Sequence, residues 1–275
     1  MRLLLSLALL SAMAYGVWQW SEEHPHMRHR IESLLDVGHF HTLEIRYRAE
    51  QIMESQRKHL LKDGRHRYLD PVLTFYPYLL MEVKYTISKD KTAEGLMLWD
   101  LTDGEMVIDT KHWEKTHGFG DCIDAHCERH EFKVLHALAK RGGTGDREDL
   151  ASALHTESET LQAWIDSCLR KQLIVHTKGR YRLHLQNPKL HTKPATKIEE
   201  RLVTQPHRKA IRLSKRYSLS QIEQITKAAF GNDFAIRKTT SVYLPVHSIT
   251  VQNPDGSIHT SHWNALTGRP LASRP

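Results

Sequence analysis

The chain has 275 residues, with 39 Lys and Arg against 32 Asp and Glu, a net charge of +7 and a sequence pI near 9.2. Hydrophobic residues make up 40% and mean hydropathy is −0.52, which excludes a polytopic membrane protein and leaves room for two or three small domains. Three cysteines, an odd number, exclude a disulfide framework.

Arg2 is followed by an uncharged run from Leu3 to Trp20, long enough to cross a bilayer, with Trp18 and Trp20 where interfacial aromatics anchor such helices. Residues 1–22 therefore read as a single-pass N-terminal membrane anchor, and the lipid bilayer is an expected partner through residues 3–20. A signal peptide cleaved after Ala12-Met13-Ala14, giving a secreted protein, is the alternative. Flanking charges tie, Arg2 against Arg28 and Arg30, so the side of the membrane stays open.

From His41 to Lys62 the apolar Leu43, Ile45, Ala49, Ile52, Met53, Leu60 and Leu61 predict a helix. Val72–Ile87 predicts a strand interrupted by Pro77, followed by Leu96–Trp99, an Asp103-Gly104 turn and Met106–Ile108. Near the other end, Ser218 caps a helix carrying Ile222, Ile225, Ala228 and Ala229. A strand Val242–Val251, a turn at Asn253–Gly256, a strand Ser257–Trp263 and a Thr267-Gly268 turn follow. Pro77 precedes Trp99-Asp100-Leu101-Thr102-Asp103-Gly104 as Pro245 precedes Trp263-Asn264-Ala265-Leu266-Thr267-Gly268. The expected fold class is α+β, with an anchor helix and two similar helix–hairpin (αββ) units, residues 25–123 and 217–275, flanking a different module at 124–186. The copies either form one pseudo-symmetric sheet or stand as separate domains.

In the middle, Phe132, Leu135, Leu138 and Ala139 stripe one helix, and Asp146 caps a second with Leu150, Ala151 and Leu154. Thr156-x-x-Glu159 boxes a third with Leu161, Trp164, Ile165, Cys168 and Leu169. Strands Leu173–Val175 and Tyr181–Leu185 flank a Lys178-Gly179 turn. Cys127–Leu185 resembles a winged helix-turn-helix domain. That resemblance implies a third helix able to enter a DNA major groove, led here by Glu157, Ser158, Glu159, Thr160, Gln162 and Ala163. Two carboxylates and no cation in that row depart from a phosphate-facing pattern and suit protein contact. Lys178, Arg180 and Arg182 on the wing offer nucleic-acid contacts instead.

Between Leu185 and Tyr217 stand nine Lys or Arg against two Glu, the whole of the net charge. With Pro188, Pro194 and Pro206, residues 187–216 read as a basic linker whose Arg208, Lys209, Arg212, Lys215 and Arg216 are candidates for an anionic surface.

Two clusters carry candidate chemistry. A helix from Asp121 would bring Cys122, His126 and His130 onto one face, with Cys127 beside them and His117 or His112 as a fourth ligand, a possible zinc site in no standard spacing. Asp70 with Glu82-Val83-Lys84 resembles the acid–acid–lysine set of Mg-dependent restriction-endonuclease-like nucleases. Neither a Walker phosphate loop, a nucleophile elbow nor a dinucleotide fingerprint is present. The expected function is a membrane-tethered, non-catalytic protein-interaction adaptor with a protein partner and no small-molecule substrate or cofactor. A membrane-anchored winged-helix DNA-binding regulator and the Mg-dependent nuclease are the alternatives.

Overall fold

The structure, a computed structural model, describes residues 39–62, 64–88, 91–185, 188–199, 201–206, 210–231 and 234–271. The elements in order are β1 (His39–Leu43), α1 (Ala49–Ser55), α2 (Arg57–Leu60), β2 (Arg67–Tyr68), β3 (Val72–Ser88), β4 (Lys91–Asp100), β5 (Met106–Asp109), β6 (Glu114–Lys115) and α3 (Phe119–Asp124). Then come α4 (Arg129–Lys140), β7 (Thr144–Gly145), α5 (Arg147–Leu154), α6 (Ser158–Arg170), β8 (Ile174–Thr177) and β9 (Arg180–Leu183). The last are β10 (Leu202–Pro206), β11 (Ile211–Arg212), α7 (Leu219–Phe230), β12 (Phe234–Gln252) and β13 (Ile258–Asn264).

One ten-stranded sheet, ordered β10-β1-β12-β3-β4-β5-β6 with β2, β11 and β13 as side partners, holds both hairpins. This corrects the expected α+β arrangement of two units flanking a third. Strand is about 39% and helix about 28%, and the long central strands β3 and β12 pair with each other antiparallel, so the molecule is a mixed α/β structure around a large sheet. Neither hairpin could bury its inner edge alone, because each long strand's backbone partner is the other.

The pairing obeys a pseudo-two-fold axis through Tyr76 and Leu244, which face each other. Pro77 pairs with Tyr243, and Phe75 with Pro245, the same relation seen from the two sides. Each proline sits where the outer neighbour changes. β11 pairs at Thr74 and Phe75 while β4 begins at Tyr78, and β1 pairs at Tyr243 while β13 begins at Val246. No donor is needed there, so the missing N–H is tolerated inside the sheet.

The equivalence extends to individual backbone bonds. Leu101 N donates to Pro77 O at 3.0 Å, and Ala265 N to Pro245 O at 3.0 Å. Arg216 N and Tyr217 N both donate to Leu101 O, while Arg46 N and Tyr47 N both donate to Ala265 O. The helix of each half thus starts against the turn of the other half.

One sheet face carries Leu79, Met81, Val83, Met97 and Trp99 under α7, α3 and α4, in a core that continues without a break into Leu150, Leu161, Ile165 and Cys168 of α5 and α6. The helical module and the sheet therefore share one hydrophobic interior. On the same face, at the other end of the sheet, Ile52 of α1 packs on Ile249 and Trp263. The opposite face buries Tyr78, Leu80, Leu98, Val107, Val242, Leu244 and Val246.

Within 129–183 the order is three helices, with the short β7 after the first, and a β8–β9 hairpin, in a three-stranded sheet ordered β7-β9-β8. The hairpin turn has positive φ at both central residues, Lys178 (52°) and Gly179 (75°), the handedness that matches strand twist. The basic stretch beyond it is not a bare tether. Thr196 Oγ1 accepts from Leu98 N and donates to Val107 O, and β10 and β11 are strands of the main sheet.

Two further expectations change. The single helix foreseen over His41–Lys62 begins as a strand, because alternating Phe40, Thr42 and exposed His39, His41 pair with β10 before α1 starts. The membrane anchor finds no support: among the described residues no helix is long and apolar enough to cross a membrane, and residues 3–20 lie outside them. The structure does not support membrane location or a transmembrane helix.

Candidate functional site

Three places concentrate chemistry, and the sequence pointed to one of them. The first is a buried ionic network at the first turn. Asp100 is almost wholly buried; its Oδ1 accepts from Thr102 N and the Thr102 hydroxyl, and its Oδ2 from Tyr78 Oη at 2.8 Å and Lys115 Nζ at 2.5 Å. Lys115 Nζ also reaches Asp103 at 2.9 Å and lies over the Tyr78 ring. Burial pushes Asp100 up, but the Lys115 charge and the donors aimed at it outweigh that and hold the carboxyl below its usual range. Burial alone would lower the Lys115 ammonium, and Tyr78, Asp100 and Asp103 reverse this and raise it well above its ordinary value.

The pseudo-symmetric position supplies an internal control. Asn264 Oδ1 accepts from Leu266 N and Thr267 N, making the same turn without charge. A side-chain oxygen is enough for the turn. The carboxylate at Asp100 serves Lys115 and Tyr78, which tie β6 and β3 together. Beside it, Glu105 accepts from Thr116 Oγ1, Gly118 N and Gly120 N, fixing the start of α3, and burial raises its carboxyl despite those donors. Both carboxylate oxygens of Asp100 are taken by the protein itself, so this network reads as a structural clasp.

The second place is an open cleft of about 750 Å³ between the β1–α1 connection and the entry to β3. Its lining includes Ile45, Arg46, Arg48 and Glu50 from the β1–α1 connection and α1, Pro71 and Leu73 at the entry to β3, and His247 of β12. His247 is buried and donates from Nε2 to Tyr47 O at 3.0 Å, which locks the connection onto the sheet. Exposed Leu69 and Val72 stand on either side of Pro71 in the chain. Sequence reasoning missed this site. A usable signal was there: Arg46-Tyr47-x-x-x-Gln51-Ile52 recurs as Arg216-Tyr217-x-x-x-Gln221-Ile222, and both glutamines cap their helices by accepting from the N-cap amide.

The third is the β8–β9 hairpin. Lys178, Arg180 and Arg182 are exposed, with Arg180 and Arg182 on one face because Tyr181 and Leu183 turn inward. The start of α6 is different: Glu157, Ser158, Glu159 and Thr160 are exposed and acidic overall, and Arg147 donates to Ser158 Oγ. Gln162 donates to Asp166 and Ala163 is exposed. The cation at the end of that helix, Lys171, is engaged internally by the buried Glu131, which also accepts from Ser167.

The zinc candidates are not on one helix. α3 stops at Asp124, His126 takes a left-handed backbone (φ 49°), and α4 starts only at Arg129. Cys122 and Cys127 are buried, while His112 and His117 are exposed, His126 is exposed with them, and His130 lies beside Glu128 and Trp164. Among the described residues no group of three or more His, Cys, Asp or Glu is placed to hold a metal ion. Asp70 and Glu82 are separated by twelve positions along one nearly continuous strand, roughly 40 Å at about 3.3 Å per residue, too far to share an ion. Glu82 instead faces Lys238 across the β3–β12 pair at 3.6 Å, with Lys84 two places on. In the basic stretch, Arg212 lies over the rings of Phe40 and Tyr243, Arg216 pairs with Asp124, and Lys215 precedes it; Arg208 and Lys209 lie outside the described residues.

Compared with protein-family models, with curated proteins and with solved structures, the chain matches none.

Proposed function

We propose that this protein is a protein-interaction scaffold, in which a pseudo-symmetric sheet carries a winged-helix module and holds a segment of a partner protein in the Arg46–His247 cleft. The cleft is the observation that supports the reading. Its volume falls in the range of binding clefts, and its open mouth combines apolar Ile45, Pro71 and Leu73 with two guanidinium groups and one carboxylate. Apolar anchors together with charged groups suit a peptide with one buried side chain and flanking polar groups. The acidic front of α6 points the same way, since that row repels phosphates and leaves the module free for protein contact.

Site-specific photo-crosslinking tests this. A photoreactive residue at Leu73 is expected to give a discrete protein adduct in cells, with none from the same probe at exposed Ile87 or Ile258, which lie away from the cleft. Equal labelling at all three positions, or none at Leu73, would defeat the proposal.

A second reading, DNA contact through the wing, draws on the three exposed cations of β9 and its turn. It predicts duplex binding whose salt dependence, in log–log form, flattens by about 0.9 for each phosphate that goes unneutralised when Lys178, Arg180 or Arg182 is replaced by Ala. Unchanged binding in the triple variant would rule it out.

A further inference from the structure

Among the described residues, the two halves of the molecule build the same surface twice but cover it once. Around the first turn, a Cβ on Gly104 would lie 2.9 Å from the Tyr217 ring and 2.8 Å from Ile123 Cδ1 of α3. A Cβ on Gly120 of α3 would stand 2.5 Å from Asp103 O, so the helix can sit this low only because that residue is glycine. Asp124, one position after Ile123, takes Arg216 at 2.8 Å, and the Arg216 guanidinium stacks on Tyr217 at 5.0 Å. Under this helix Tyr217 is only 3% exposed.

Around the second turn the receiving parts recur. Gly268 keeps a positive φ of 67°, and a Cβ there would lie 3.0 Å from the Tyr47 ring. Arg46 and Tyr47 hang from Ala265 O as Arg216 and Tyr217 hang from Leu101 O. Gly268 N donates to Asn264 O as Gly104 N donates to Asp100 O. Yet Tyr47 is 44% exposed, and exposed Arg46 pairs with Glu44, two residues before it, on the surface. Among the described residues, no helix covers this aromatic face.

We propose that the Arg46–Tyr47–Gly268 face receives a short helix of a partner protein carrying a small residue, an aliphatic residue three positions later and a carboxylate at the fourth. This is the spacing of Gly120, Ile123 and Asp124, the helix that already fills the equivalent face. The small residue lets the helix approach the turn carbonyl, the aliphatic chain covers the glycine and the tyrosine ring, and the carboxylate displaces Glu44 from Arg46. The inference rests on the protein-interaction reading and names the partner's chemistry.

The test uses a helix-stabilised peptide with the sequence of residues 117–126 and serine in place of its cysteine, titrated into the full chain. Saturable binding at sub-millimolar peptide is expected. It should weaken at least tenfold for Tyr47→Ala and for a peptide carrying Asp124→Lys, and recover when that peptide meets the Arg46→Glu chain. Arg216→Glu should leave it unchanged. No saturable binding, or binding indifferent to both the tyrosine and the charge reversal, overturns the inference. So does a chain that self-associates in sedimentation and no longer does so with Tyr47→Ala, since the occupant is then a second copy. A cleft adduct at Leu73 with no peptide binding would sink this inference alone and leave the scaffold reading standing.

Discussion

Asp100 and Asn264 occupy matched positions with different chemistry, and the contrast predicts what each can tolerate. Asp100→Asn keeps the turn but leaves Lys115 facing a neutral amide in a buried site. Breaking one side of such a pair should cost about 2–4 kcal/mol, because Lys115 retains some solvent and Asp103 remains within reach. Urea unfolding reads the difference. Asp100→Asn with Lys115→Met should recover part of the loss, and no recovery would mean the clasp acts through packing alone.

His136 gives a second prediction at the same scale. Its ring is largely buried beside Phe132, and burial, helped by His191, Arg129 and Lys140, lowers its pKa to about 4. The unfolded chain takes up the proton near pH 6.5 while the folded one does not. Stability on this account is full above pH 6.5 and declines as pH falls from 6.5 toward 4, by up to about 3 kcal/mol. His136→Phe should flatten the pH dependence of unfolding in that window. An unchanged slope would remove His136 as its source.

At the scale of elements, the two glycine turns should differ in tolerance although their backbones match. Alanine at Gly104 meets Ile123 and a buried Tyr217, whereas alanine at Gly268 meets a Tyr47 ring that can swing into solvent. Both substitutions carry the left-handed penalty of about 1 kcal/mol, and Gly104→Ala should exceed Gly268→Ala by a further ~1–3 kcal/mol of overpacking. Equal losses in thermal unfolding would show that Tyr47 is as confined as Tyr217. The same element-level logic explains the break between α3 and α4. The amide of Cys127 donates to Cys122 O across the left-handed His126, a helix-ending arrangement that no face-counting from Asp121 to His130 could anticipate.

For the whole molecule, a shared core means shared fate. Trp99 stacks edge-on against Phe119, which lies near Phe132 of α4, so the sheet reaches the helical module through one row of aromatics. The protein should unfold in one cooperative step, with amide exchange in α4 and β3 protected to similar free energies. Two separated transitions in calorimetry would show that the module is an independent domain. For the same reason residues 217–275 alone should not fold, since the inner edge of β12 is paired along β3, a strand of the other half.

Local chemistry was legible in the chain because it acts over a few residues. Ser218 and Asp146 mark helix starts, Lys178-Gly179 marks a hairpin turn, and the two Trp-x-x-x-x-Gly segments mark matching turns. The equivalence of Arg46-Tyr47 and Arg216-Tyr217 was also written there, as an identical seven-residue spacing. What tertiary structure alone decided was which edges meet. The hydrogen bonds joining β3 to β12, and each Arg-Tyr pair to the opposite turn, link residues more than a hundred positions apart. Backbone groups carry no sequence label, so pairing over such distances is set by which surfaces bury together once the whole core closes. The same closure covered the Tyr217 face and, among the described residues, left its Tyr47 twin exposed.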